Sequence, residues 1–540
     1  MSGDIADLVR RSDDLESSRS VFRQNMAEIA EHVRPLRNEL RGVTVDGAKR
    51  LSNIFDSTAI NANQNLGAGL YGTLTNPADT WFQYDTLDPD LNKSQRVRAW
   101  LGLESRRALI SCTSTYSAFY KQVTSFFLDL GAFGNAVFSS ELNADMTGFV
   151  DMCRPLSECC WDVNGEGEID TMYRRWKMTA PAAVRMFKDG ISRQTQIRAE
   201  KDPKHVVEIM HACLPAQDSL PREILKTNKP FVSIYAEVGE KHQISASGYY
   251  EFPYMVSRWE VAAGEKTGRG PGELAIADVK SANVAQRDNL KAGNMAANPP
   301  WGAPDEGVIQ NVRVSPGKMT YGAINSQGKQ MLMPLIQGGN PPFSLEMTNA
   351  LRTAIKDAFY FTLMQLVGRS GMTATEVMEH REERMRLMAP YAGGIQTDFL
   401  CPFALRRFNM LKRLGLTSPP PPELQNRSIQ VAFVSAFAQA QKSARATSVM
   451  RTTAFAGQLA ALDPEIADRV DSDAALRTVQ EGFGAPADML RSDEETAARR
   501  EIRRRAQAAA TTAQIADTGA GAAQKGAAAL ATLQQGQKAA

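Results

Sequence analysis

The sequence has no run of about 18 continuous apolar residues, so no membrane-spanning helix is expected. Neither charge sign dominates: Lys plus Arg total 62 and Asp plus Glu 60, a formal net charge of +2. A chain so balanced is not expected to coat nucleic acid through charge alone. The six cysteines (Cys112, Cys153, Cys159, Cys160, Cys213 and Cys401) form no C-x-x-C and no repeated spacing. Cys159-Cys160 is too close for an ordinary bridge, so reduced thiols in a cytosolic compartment are expected. No positively charged stretch followed by an apolar one opens the chain, so no export is expected. Nucleotide-hydrolysing and acyl-transfer signatures are missing too. GEKTGRGPG has glycines but no Gly-Lys-Ser/Thr, SPGKMT lacks the upstream glycine, and G-x-S-x-G does not occur.

What is present is length and a change of period. The 540 residues are enough for several domains. Residues 4–40 read as a helix that ends at Pro35, and FDSTAINANQNLGAGLYGTL as a second, capped by Asp56 or Ser57. The small residues Ala59, Ala62, Gly67, Ala68 and Gly69 give that helix a close-packing face. Residues 94–130 read as a third helix, with a core stripe from Trp100 to Leu130 that includes Leu103, Ile110 and Tyr116. From 135 to 260 the runs become short, β-branched and aromatic: NAVFSSEL, GFVDMCRPL, EIDTMYRRWKMT, HVVEIMHACLP, FVSIYAEVG and FPYMVSRWEVA. With the helical insert TAPAAVRMFKDG, begun by a Thr179 cap and Pro181, they predict a mainly antiparallel sheet packed on the earlier helices, an α+β fold.

The chain is organised around residues 264–376. The punctuation GEKTGRGPGEL opens a polar helix from Glu273 to about Met295, which Pro299 and Pro300 stop. Its apolar residues leave no wide stripe, so it bridges through solvent or packs sideways on copies of itself. A second helix runs from about Ser344 to Leu366, with Met347, Leu351, Ile355, Phe359, Leu363 and Val367 at helical spacing. Between the helices, VIQNVRVSP, KMTYGAI and QMLMPLI read as small strands. Residues 373–415 read as helical in two pieces around Ala389-Pro390, the tetraproline 419–422 breaks the chain, and short helices follow over 435–500. The tail 506–540 has 15 alanines among 35 residues and no aromatic, so it is disordered or helical only through assembly.

Several constellations invite a chemical reading. His205, His211 and Cys213 have some metal-ligand character, but in a strand-like run without a second cluster they read as packed polar residues. Glu379 and Glu383 lie four apart in EHREERMRLM; alternating Arg and Glu at this spacing reads as a solvated helix face rather than a catalytic pair. RREIRRR (499–505) either touches nucleic acid or is a charged helix face. No catalytic residue, metal or cofactor is assigned.

These features together resemble the portal (head-to-tail connector) proteins of podovirus-type phages. The residues that carry the resemblance are FDSTAINANQNLGAGLYGTLTNPADTWF (55–82), TSFFLDLGAFGNAVF (124–138), GRGPGELAIADVKSAN (268–283), MTATEVMEHREERM (372–385) and LCPFALRRFNMLKRLG (400–415). It extends from about residue 15 to 440. The resemblance implies a wing over 1–263 and 374–430, stem helices over 264–295 and 344–366, a β-containing clip over 296–343, a tunnel loop over 367–373 and a helical crown with its tail over 431–540. Gly268, Arg269, Gly270 and Pro271 would start the stem, and Gly368, Arg369, Ser370 and Gly371 would form the tunnel loop. It further implies a dodecameric ring at one capsid vertex, through which double-stranded DNA is packaged and later ejected. Implied partners are the terminase large subunit, a tail adaptor protein, and the major capsid and scaffolding proteins. The implied location is the virion, and the host cytoplasm during assembly. No enzymatic activity is implied. Lys280, Arg287, Lys291 and Arg369 would line the channel and contact phosphates; salt bridges with Asp278, Asp288 or Glu273 between subunits are the equal alternative. Another structural head or tail protein with a different oligomeric form is the alternative function.

Overall fold

The computed structural model describes residues 2–42, 47–88, 90–113, 115–143, 145–216, 229–297, 301–302, 327, 333–334, 341–361, 388–425, 427–433, 436–460, 470–483 and 495–509. The chain divides into two compact units. The first comprises Met1–Phe82, Arg106–Thr417 and Phe433–Phe437, and the second Gln83–Ser105, Ser418–Ala432 and Ala438–Ala540.

In the first unit, the expected N-terminal helix is two helices, α1 (Ser2–Ser18) and α2 (Ser20–His32). The break falls at Arg19, whose guanidinium lies 3.8 Å over the Trp161 ring and donates to the Cys159 carbonyl at 3.1 Å. That contact diverts α1 onto a sheet, where Ile5, Leu8 and Val9 join its core. The helix α3 (Thr58–Leu74) buries Ala59, Ala62 and Gly67 as expected, but Ala68 is exposed and Gly69 half-buried. A Cβ on Gly67 would sit 2.7 Å from Leu128 Cδ2, so α3 and α5 (Phe119–Phe133) approach closely there. The expected helix 94–130 is likewise two, α4 (Gln95–Ser111) and α5, and Leu103, Ile110 and Tyr116 are exposed rather than core.

The antiparallel region forms two sheets. Strands β2 (Asn135–Leu142), β3 (Phe149–Arg154) and β9 (Tyr254–Arg258) make a three-stranded sheet with β2 central. A five-stranded meander follows in order: β4 (Cys159–Val163), β5 (Ile169–Thr179), β6 (Val206–Pro215), β7 (Phe231–Glu237) and β8 (His242–Tyr249). All neighbours are antiparallel. The insert helix α6 spans Ala180–Phe187; α7 (Arg193–Lys201) beside it was not expected.

An aromatic core joins the first unit. Phe119 stacks on Phe403 at 4.5 Å, and Phe126 meets Phe399 at 4.1 Å between ring centres. Phe399 is presented by a π turn, Gln396–Leu400, that enters the Cys401–Arg413 helix. That helix carries Arg406 and Arg407 into the three-stranded sheet. Arg406 Nε donates to the Ser140 carbonyl at 2.8 Å. Arg407 pairs with Asp151, both side chains being fully buried, and lies 3.9 Å over the Phe149 ring. Such a pair is costly to break from one side, because an uncompensated charge is left in the core.

In the second unit, β1 (Phe82–Thr86) pairs with Ile429–Phe433. Trp100 Nε1 donates to the Ser418 carbonyl at 3.1 Å, and Ser418 N donates to Glu104 Oε1 at 2.9 Å. Helices Ala436–Ala460, Ser472–Phe483 and 495–509 complete its described part. Residues 510–540 lie outside the described residues, so most of the Ala-rich tail does too.

Candidate functional site

The long helix pair is present with altered bounds. The first, α8, runs Pro271–Ala297, and the second, α9, runs Pro341–Ala358. The apolar period that predicts α9 to continue is interrupted at Tyr360, whose φ of +53° is left-handed. An L-residue there is strained, and tertiary contacts hold it: Tyr360 Oη donates to Tyr391 Oη at 2.9 Å. Trp259 stacks on Tyr391 at 4.6 Å between ring centres. Expected helix residues 362–366 lie outside the described residues, as do Gly368, Arg369, Ser370 and Gly371. Of the strands expected between the helices, only Met333–Pro334 is described; it pairs with Trp301–Gly302.

The start of α8 is built into the first unit. Gly268 and Asn135 exchange two hydrogen bonds, Gly268 N to Oδ1 at 2.7 Å and Asn135 Nδ2 to the Gly268 carbonyl at 2.6 Å. Gly134 has φ +67°, and its carbonyl accepts from Trp259 N at 2.9 Å. A Cβ on Gly270 would lie 2.5 Å from Gly134 N, so two glycines of separate motifs are needed where the backbones touch. Pro271 takes the first helical position, where its missing N–H costs nothing. The Gly270 carbonyl accepts from Glu273 N at 3.0 Å and Leu274 N at 3.2 Å. Arg269 is exposed and bridges Glu265 at 2.6 Å and Glu273 at 2.8 Å.

A second clamp holds the middle of α8. Asn283 Oδ1 accepts from Phe55 N at 2.7 Å and from Asp56 N at 3.2 Å, while its Nδ2 donates to the Asn53 carbonyl at 3.0 Å. Arg352 of α9 reaches the same place: Nε donates to Asp56 Oδ2 at 2.7 Å, and NH2 donates to Gln286 Oε1 at 3.0 Å. The other Asp56 oxygen accepts from Thr58 N at 2.9 Å and so starts α3. Burial disfavours the Asp56 charge, but the hydrogen bonds from Thr58 and Arg352 outweigh it and hold the carboxyl below the usual carboxylate range. FDST, α8 and α9 are thereby tied together at one point. Sequence left Asp56 or Ser57 as the cap; Ser57 holds the N-cap position without a side-chain cap bond, Asp56 takes the Thr58 N–H, and its partners Asn283 and Arg352, more than 220 residues away, were not legible.

Beyond this clamp the pair is wetter. Ile355 and, just past α9, Phe359 are buried, but Met347 is exposed, so the buried large apolar residues gather at the C-terminal end of the helix. On α8, Leu274, Val284 and Leu290 are exposed. The charged candidates are paired within the chain: Lys280 with Glu28 of α2, and Arg287 and Lys291 both with Asp288, at 3.2 and 3.8 Å. Two cations thus share one carboxylate.

The three residues weighed as metal ligands are not one site. His211 is fully buried, its Nδ1 2.6 Å from Tyr254 Oη and its Nε2 2.9 Å from Ser233 Oγ, and it stacks on Tyr235. Burial depresses its pKa to about 3, so it is a neutral core imidazole. Cys213 is a buried thiol, and all six cysteines are free. Glu379 and Glu383 lie outside the described residues.

Comparison with known proteins places this architecture. The profile of the family described as bacteriophage head to tail connecting protein matches residues 6–490. The chain is 28% identical over 537 residues to a probable portal protein of Bordetella phage BPP-1, covering 96% of this chain and 94% of that protein. It is also 28% identical over 512 residues to a portal protein of Salmonella phage epsilon15, covering 93% and 92%.

Proposed function

Because the chain belongs to the bacteriophage head to tail connecting protein family, we infer that it acts as a phage portal protein, the component that joins the head to the tail. The observation that carries this is the family match across nearly the whole chain, which includes both clamps of the helix pair. The proposed working form is a closed ring of identical subunits, with twelve as the proposed number. A head-to-tail interface closes when its rotation fits. The exposed apolar residues of α8 and α9, Leu274, Val284, Leu290 and Met347, suit burial against the next copy.

In this reading the helix pair is the stem, residues 1–263 and 374–430 form the wing, 296–343 the clip, 367–373 the tunnel loop and 431–540 the crown. The ring would sit at one capsid vertex, contacting capsid and scaffolding proteins, and dock the terminase large subunit and later a tail adaptor. Its role is structural; ATP hydrolysis for packaging belongs to the terminase. Arg287, Lys291 and Arg369 are the proposed channel cations that touch DNA phosphates without sequence preference. Lys280 is the weakest of the four candidates, because Glu28 engages it.

Heads assembled with and without the chain provide the test, read as nuclease-protected DNA. The portal reading expects shells that form without it to hold no genome; shells that fill normally in its absence would refute the reading.

A further inference from the structure

The RREIRRR stretch is not used by either clamp or by the channel reading. It lies on the helix 495–509, where every residue except Thr496 is exposed. A helix wetted on nearly all sides gains little from packing, and its arginines stand open to solvent. At 3.6 residues per turn, Arg499, Arg503, Arg500 and Arg504 fall within an arc of about 140°. Arg500 is fixed by a two-armed pair with Asp473, both contacts at 2.7 Å, which ties the arc to the Ser472–Phe483 helix. Arg505 pairs with Glu501, off that arc. Among the described residues, the ion pairs of this arginine stretch are those of Arg500 and Arg505, and Arg499, Arg503 and Arg504 make none.

We propose that this arginine stripe binds the sugar-phosphate backbone of duplex DNA without sequence preference. It is a contact that needs neither a ring nor a channel. Arg499 and Arg503 are about 6 Å apart along the axis, close to the ~6.8 Å that two nucleotides of one strand span. Guanidinium forks match phosphate oxygens better than ammonium groups do. Ile502, the exposed large apolar residue of this helix, lies off the arc.

The test is binding of the full-length chain to covalently closed circular duplex DNA, which cannot thread a channel, measured across a salt series. The proposal expects R499Q/R503Q/R504Q to make the slope of log affinity against log salt shallower by about 2.7, the value for three lost phosphate contacts. Replacing the same three residues with lysine should keep most of the slope. An unchanged slope in the glutamine variant, or no binding by the wild-type chain at low salt, would overturn it. So would a change in oligomeric mass with the slope unaltered, which would assign the stripe to an acidic segment of another copy. A chain that forms no ring yet shows the slope change would count against the portal ring and leave the stripe standing.

Discussion

The two halves of the long helix pair are made of similar residues but solve different problems. The inner half is pinned by contacts to distant parts of the chain: Gly134 against Gly270, Asn135 around Gly268, and Asn283 with Arg352 around Asp56. The outer half exposes Leu290 and Met295 on α8 and Leu345 and Met347 on α9, and its charges pair with a helix neighbour in water. Polarity alone does not distinguish them. Asn283 and Arg287 sit one turn apart, yet Asn283 satisfies two backbone N–H groups, whereas Arg287 contributes a surface pair worth little. The inner half is held by contacts within the chain, and the outer half carries fewer of them, which is why the proposed ring contact is placed there.

The comparison breaks first if the inner contacts are less strict than described. Gly134→Val adds left-handed strain and a clash with the Arg269–Gly270 backbone. It should cost about 3 kcal/mol or abolish folding, read as the urea midpoint and soluble yield. Asp56→Ala leaves Arg352 without its carboxylate and Thr58 N without an acceptor, and should cost about 2 kcal/mol in the same measurement. An unchanged midpoint would remove the second clamp from the account.

Acid probes a region away from the helix pair, and His211, buried in the five-stranded sheet, acts as a reference. The folded-state pKa of His211 is about 3, below the unfolded value near 6.5, so the unfolded chain binds the proton first. Stability should be intact above about pH 6.5 and fall by about 1.4 kcal/mol per pH unit below it, until the folded pKa is reached. His211→Gln should flatten that slope in pH-dependent melting. Asp56 acts lower: its depressed pKa contributes stability above the unfolded carboxylate value, near 3.9, that is lost as pH falls through the folded value.

The smallest effect is predicted for the outer half. R287A/K291A should shift the midpoint of the isolated subunit by less than about 0.5 kcal/mol, while ring formation or DNA retention changes. A large loss of subunit stability would mean that these residues are structural.

Sequence periodicity reached the element types but not their ends. Runs such as NAVFSSEL, with β-branched and aromatic residues, were legible as strands, and β2 matches that run. Strand β8, His242–Tyr249, reads SASGY at its end, too small and polar to signal a sheet. The breaks at Arg19 and Tyr360 carry no glycine or proline; Trp161 impose the first, and Trp259 with Tyr391 the second, from afar in sequence. The root was half visible: GRGPG announced a helix start, but Asn135 and Gly134, more than 130 residues earlier, could not be paired with it by pattern. Family resemblance found both segments because it samples the whole chain at once.

The most direct test of the central claim, that the outer helix halves close a ring, is native mass spectrometry of the purified chain with two-dimensional class averages. The account predicts a ring of about a dozen subunits around a central hole, the closed outcome of a head-to-tail interface. A compact dimer or tetramer without a channel would contradict it.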